Sequence, residues 1–157
     1  MHELVATDAI QPVFSSEPDL RSPDGAILGW LLHPAGALVQ FVKPVKGTAD
    51  LASWMVGPAF AVLESRYPKR KDLWFVLDLT HMVGRSAAAR SILLHSAKVI
   101  GSRFSRVFVI PPSDYPPMYL KAFHASVAFA RLLGMHITVA GASRAVIDRY
   151  KLAPVRD

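Results

Sequence analysis

Three short apolar runs constrain this chain more than any other feature: residues 73–79 (LWFVLDL), 107–110 (VFVI) and 136–140 (HITVA). Each is separated from the next by a stretch long enough for a helix. The first run is apolar on both faces except for Asp78, which is the pattern of a strand buried between helix layers. Strands that alternate with helices form parallel units joined by right-handed crossovers.

The remaining punctuation fills in the order. Residues 26–33 (AILGWLLH) and 37–42 (ALVQFV) are β-prone runs split by Pro34-Ala35-Gly36, a hairpin signature. Thr48 can cap a helix that runs to about Arg66, with Asp50 in its first turn and a kink or break expected at Pro58. Ser86 caps the next helix, which the alanines at 87–89 favour and which ends near Gly101. Pro116 or Pro117 opens another helix, closed by Gly134. Gly141-Ala142-Ser143 leads into a final helix through Tyr150. The expected fold is therefore α/β, in the order β-β-α-β-α-β-α-β-α, with a single mixed, mostly parallel sheet. Trp30, Trp54 and Trp74 are expected in or near the core.

A length of 157 residues suits one domain, and 52% apolar against 19% charged residues suits a globular one. Residues 1–24, rich in Pro, Ser and acids and without a period, are expected as a flexible acidic arm, and 25–157 as the α/β domain. The arm carries five acids against Arg21, about −4. The rest carries 17 Lys/Arg against 7 acids, about +10. Those cations are scattered rather than clustered, which describes a solvated surface more than a nucleic-acid face. No apolar run approaches the ~20 residues of a membrane helix. The first residues lack a basic segment followed by an apolar one, so no secretory signal is expected. The absence of cysteine removes disulfides, thiol catalysis and thiolate metal sites, and suits a cytoplasmic location.

Ligands of open α/β sheets gather at the carboxyl ends of the strands. Three segments fall there. The loop from Asp78 to Ser86 contains Thr80 and Arg85 and leads into a helix N-terminus, so it could hold a phosphate or carboxylate. Its plainer role is a capping Ser86 and an Asp78 that orders the loop. Ser113-Asp114-Tyr115 is a turn with two candidate contacts. Gly141-Ala142-Ser143-Arg144 is a second possible anion-holding turn. The basic loop Lys69-Arg70-Lys71 precedes its strand and belongs at the opposite end. The six histidines form no metal-binding pair, and neither a nucleophile elbow nor a phosphate- or dinucleotide-binding glycine loop is present. No catalytic set, metal or cofactor is expected.

Val76-Leu77-Asp78-Leu79 resembles the phosphoacceptor strand of response-regulator receivers, but no acidic pair follows the first strand and no lysine follows the last. The better resemblance covers about residues 25–152. The opening hairpin, the central strand ending in Asp78-Leu79-Thr80, and the strands 106–110 and 136–140 with their helices resemble the STAS domain family of sulfate transporters and anti-sigma factor antagonists, with its SpoIIAA-like fold. That resemblance implies a non-enzymatic regulatory module that binds a protein partner in bacterial signalling. Phosphorylatable members carry an Asp-Ser-Ser-Gly stretch, which falls here on Ser86-Ala87-Ala88-Ala89, with Ala88 at the usual acceptor position. This leaves constitutive partner binding, a small-molecule sensor, or phosphorylation at Ser86 or Thr80. Arg85, Ser86 and Arg90 are the candidate docking contacts, expected exposed on one side. The alternative is a small-ligand or anion binder using the helix N-termini after Asp78 and Gly141. A homodimer through edge pairing of the hairpin is a further possibility, and binding to nucleic acid or insertion into a membrane is not expected.

Overall fold

The sheet begins with a hairpin. β2 (Ile27–His33) and β3 (Gly36–Phe41) pair antiparallel, and all of their residues but His33 are buried. Gly36 is required at the turn: its φ is +151°, and a Cβ there would lie 2.0 Å from the Trp74 carbonyl oxygen. In the computed structural model, which describes residues 11–113 and 116–155, β3 pairs in parallel with β5 (Leu73–Asp78). β5 pairs with β7 (Phe104–Ile110), and β7 with β8 (Ile137–Val139), all in parallel. The expected mixed, mostly parallel sheet is present.

Residue alternation sends the two faces of the sheet into two separate cores. Ile27, Leu31, Val39, Leu73, Val107 and Val109 pack on one side. That side is covered by α1 (Ala49–Trp54), α2 (Phe60–Arg66), α3 (Ala87–Ile100) and α4 (Pro117–Leu132). Leu28, Trp30, Leu32, Leu38, Val76 and Phe108 pack on the other, under α5 (Ser143–Tyr150). Trp30 is fully buried, and Trp54 and Trp74 pack against the two cores from partly buried positions.

The caps read from the sequence are made. The Thr48 and Ser86 side chains accept from the amides of Leu51 and Ala89, at 3.3 and 3.0 Å. The expected interruption at Pro58 takes the form of a π-turn over Met55–Ala59 that joins α1 to α2. Proline has no N–H to give to the preceding turn, and the wider turn absorbs the gap. Arg103, in a short 3₁₀ turn after α3, donates to the carbonyls of Tyr67 and Arg70 and to Glu64, which closes the end of α2.

Two features depart from expectation. The segment expected as a loose arm is, over residues 11–24, packed on the sheet; residues 1–10 lie outside the described region. β1 (Leu20–Arg21) pairs with β2, so a domain boundary at residue 25 would cut the sheet. The Val13 amide donates to Gln40, the Trp30 indole donates to the Ser16 carbonyl, and Phe14 meets Trp30 edge-on at 5.8 Å. A few apolar anchors and these hydrogen bonds hold a segment whose average composition is polar. The second departure concerns the hairpin edge. The outer side of β2 is shared by β1 and by β9 (Ala153–Pro154), so it is not open to pair with a second copy.

Candidate functional site

Asp78 ends β5 at the carboxyl edge of the sheet, on the face covered by α5, in register with Gln40 of β3 and Ile110 of β7. It is buried. One carboxylate oxygen accepts from the Thr80 amide at 3.0 Å and from the Thr80 hydroxyl; the other accepts from the Ser143 hydroxyl at 2.7 Å. The carboxylate thus orders its own loop and pins the first turn of α5 to the central strand. A carboxylate acting directly on a substrate would need an oxygen facing it; both oxygens here are engaged by the protein.

The structure brings together Asp78, Thr80 and Ser143, and separates them from Arg85, Ser86 and Arg90. The loop after Asp78 is not an open cradle. It forms β6 (Met82–Arg85), which pairs in parallel with β4 (Val45–Gly47) in a small second sheet. Neither short strand was expected from the sequence. Arg85 and Ser86 are half-buried on the side of α3, and only Arg90 of the three expected docking residues is exposed. The Arg85 guanidinium donates to the Ser126 hydroxyl of α4 at 3.2 Å, and the Ser86 hydroxyl is engaged as the cap of α3. At the turn after Gly141 the Ser143 hydroxyl is committed to the Asp78 carboxylate. Arg144 is exposed there, donates to the Val13 carbonyl, and lies 3.9 Å from Asp148. Asp114 and Tyr115, the third pair of candidates, lie outside the described residues.

One apolar concave feature was not anticipated. A cavity of about 210 Å³ lies between the α1–α4 layer and the sheet. Val39, Phe75, Leu77 and Val109 form its floor. Met55, Leu63, Leu93, Ala97, Phe123 and Val127 form its walls and roof. Its few polar contributors are Thr48, Arg85, Ser96 and Ser126. Well-packed interiors hold few voids larger than a water molecule, and apolar cavities of roughly 150 Å³ stay dry and accept small apolar ligands. The π-turn puts Met55, Val56 and Ala59 on its wall, so the roof there is two short helices rather than one rod. On α3 the small side chains that line this space are Ala89, Ser96 and Ala97.

Electrostatics do not mark the cavity as a reactive site. The carboxylates held below their ordinary range are Asp24, by the Ala26 amide and Ser22, and Glu64 and Asp72, by Arg103 and Arg70. None of them lines it.

No family model matches the chain, and no curated protein does. Among solved structures it is similar to an uncharacterised DUF3478-family protein from Shewanella loihica with a SpoIIAA-like fold. The identity is 18%, the TM-score 0.52, and the match covers 73% of this chain and 82% of that one. The fold is SpoIIAA-like. In this SpoIIAA-like frame the strand carrying Asp78 is central, as the resemblance implied, and the cavity lies on the opposite face from the Asp78 carboxylate. No helix among the described residues is long and apolar enough to cross a membrane.

Proposed function

We propose that this protein is a non-enzymatic binding module whose ligand is an apolar molecule held between the sheet and the helix layer. The cavity carries the reading. An apolar space of about 210 Å³ between sheet and helices exceeds the roughly 150 Å³ of cavities that accept small apolar ligands, and the π-turn gives its roof a place to part. The engaged Asp78 carboxylate and the lack of a nucleophile-elbow motif in the sequence support a binding role over a catalytic one. Titration with the apolar fluorophore N-phenylnaphthylamine tests it. Saturable binding at one site per chain, displaced by alkyl chains and not by nucleotides or sugars, is expected; the absence of saturable binding refutes it.

A second reading keeps the protein-partner role of anti-sigma factor antagonists in bacterial signalling. It is favoured by the exposed Arg90 and by Val83, 64% exposed on β6. Phosphorylation of Ser86 would have to displace its capping bond, and phosphorylation of Thr80 its bond to Asp78. A purified chain with no added phosphate mass at either residue leaves this reading with constitutive docking alone, which partner capture with Arg90→Glu as the control then tests.

A further inference from the structure

Helix α4 is apolar on two opposite sides. Phe123, Val127 and Ala130 are buried toward the sheet. On the far side Met118, Ala122, Ala125, Phe129 and Leu132 recur at steps of four, three, four and three, which places them in one line along the helix. Met118 is 74% exposed, Phe129 41% and Leu132 85%. Val99, near the end of the neighbouring α3, is 65% exposed. Nearly all the large exposed hydrophobics among the described residues lie between Val83 and Leu132; Val62 is the exception. A folded domain rarely leaves an apolar line carrying three large exposed side chains to water without a partner for it.

Charge narrows the partner. Helices α3 and α4 contain no Asp or Glu, while Arg90, Lys98, Lys121 and Arg131 are exposed on them. Between Asp78 and Asp148 the sequence has a single acid, Asp114, against eight Lys and Arg. Two copies meeting along this line would set cations against cations with no carboxylate to pair them. The stripe is also the convex outer surface of a helix rather than a groove, so its side chains project outward. A convex apolar line flanked by cations suits a deformable apolar layer with an anionic surface.

We infer that the outer face of α4, with the end of α3, docks on the surface of an anionic bilayer. Met118, Phe129 and Leu132 enter the headgroup boundary, and Lys98 and Lys121 meet the lipid phosphates. The contact is peripheral and does not depend on whether the cavity is occupied.

Flotation of the full chain with phosphatidylcholine vesicles, with and without about one-third phosphatidylglycerol, tests it. Binding is expected only to the anionic vesicles and is expected to weaken at high salt. Met118→Asp with Leu132→Asp should weaken it by about tenfold or more, and Lys98→Gln and Lys121→Gln by about fivefold each. These side chains are exposed, so the variants should keep the wild-type circular dichroism spectrum and unfolding midpoint, which are measured alongside. Four results overturn the inference: no flotation, equal binding to both vesicle types, wild-type binding by the double Asp variant, or a soluble dimer that the double variant dissociates. The last would give the stripe to a second copy. Loss of naphthylamine binding without loss of flotation would remove the cavity reading and leave this one standing.

Discussion

Asp78→Ala should be a costly substitution for stability. The carboxylate accepts three hydrogen bonds, from the Thr80 amide, the Thr80 hydroxyl and the Ser143 hydroxyl. Ser143 is 3% exposed, so its orphaned hydroxyl cannot turn to water; an unsatisfied buried donor costs about 1–3 kcal/mol. The two Thr80 donors are partly exposed and recover some solvation, so about 1 kcal/mol each is reasonable. Removing the buried carboxylate relieves its own desolvation, which keeps the total near 3 kcal/mol. In a chain of 157 residues that is a fall of roughly 6–12 °C in Tm. Urea unfolding followed by circular dichroism would measure it. Ser143→Ala alone should cost about 1–2 kcal/mol. The double variant should cost less than the sum, with a coupling of about 1 kcal/mol, because the two groups share one bond. Asp78→Asn retains an acceptor for Thr80 and should fall between wild type and alanine. A cost for Asp78→Ala below about 1 kcal/mol, or strict additivity with Ser143→Ala, would refute the view that Asp78 fastens α5 to the sheet.

Ala130→Leu, which adds three carbons beside the cavity, should raise stability by up to about 2 kcal/mol at ~0.8 per methylene and weaken naphthylamine binding; lowered stability with unchanged probe affinity would contradict the cavity's shape. Gly36→Ala should cost about 3 kcal/mol or more, because the new Cβ meets the Trp74 carbonyl at 2.0 Å and separates β3 from β5; a near-native unfolding midpoint would refute it. Asp24 is held below its ordinary range by the Ala26 amide and the Ser22 hydroxyl, so its contribution is present at neutral pH and is lost as pH falls through that lowered value. The gap in unfolding midpoint between wild type and Asp24→Ala should therefore shrink toward acid, and a gap constant with pH would count against it.

The major elements were legible because each has a local cause. The apolar runs at 73–79, 107–110 and 136–140 carry their own burial pattern, and Thr48, Ser86 and Pro117 mark helix starts by chemistry that acts within one turn. β4 and β6 were not legible: VKG and MVGR are three and four residues long, with glycines, and form because each lies beside the other in space. β1 and β9, at two residues apiece, depend in the same way on the edge of β2. The arm misled because Pro, Ser and acids dominate its composition, while Val13, Phe14 and Leu20 decide where it lies. Asp78 orders its own turn through bonds to Thr80 two residues on; its bond to Ser143, 65 residues on, had no sequence signal. The cavity was least accessible of all, since a void is set by the distance between layers.

The borders of the main sheet limit how this protein can be recognised. At one border β2 is met by β1 over Gly29 and Leu28 and by β9 over Leu32 and His33. At the other, β8 is three residues long, and the Arg131 guanidinium takes the Ile137 carbonyl through two nitrogens at 3.0 and 2.9 Å. Little main chain is left at either border for an incoming strand to extend the ladder. Among the described residues, a partner strand would find few unpaired main-chain groups at these borders, and exchanging surface residues of the helical layer would leave that ladder undisturbed.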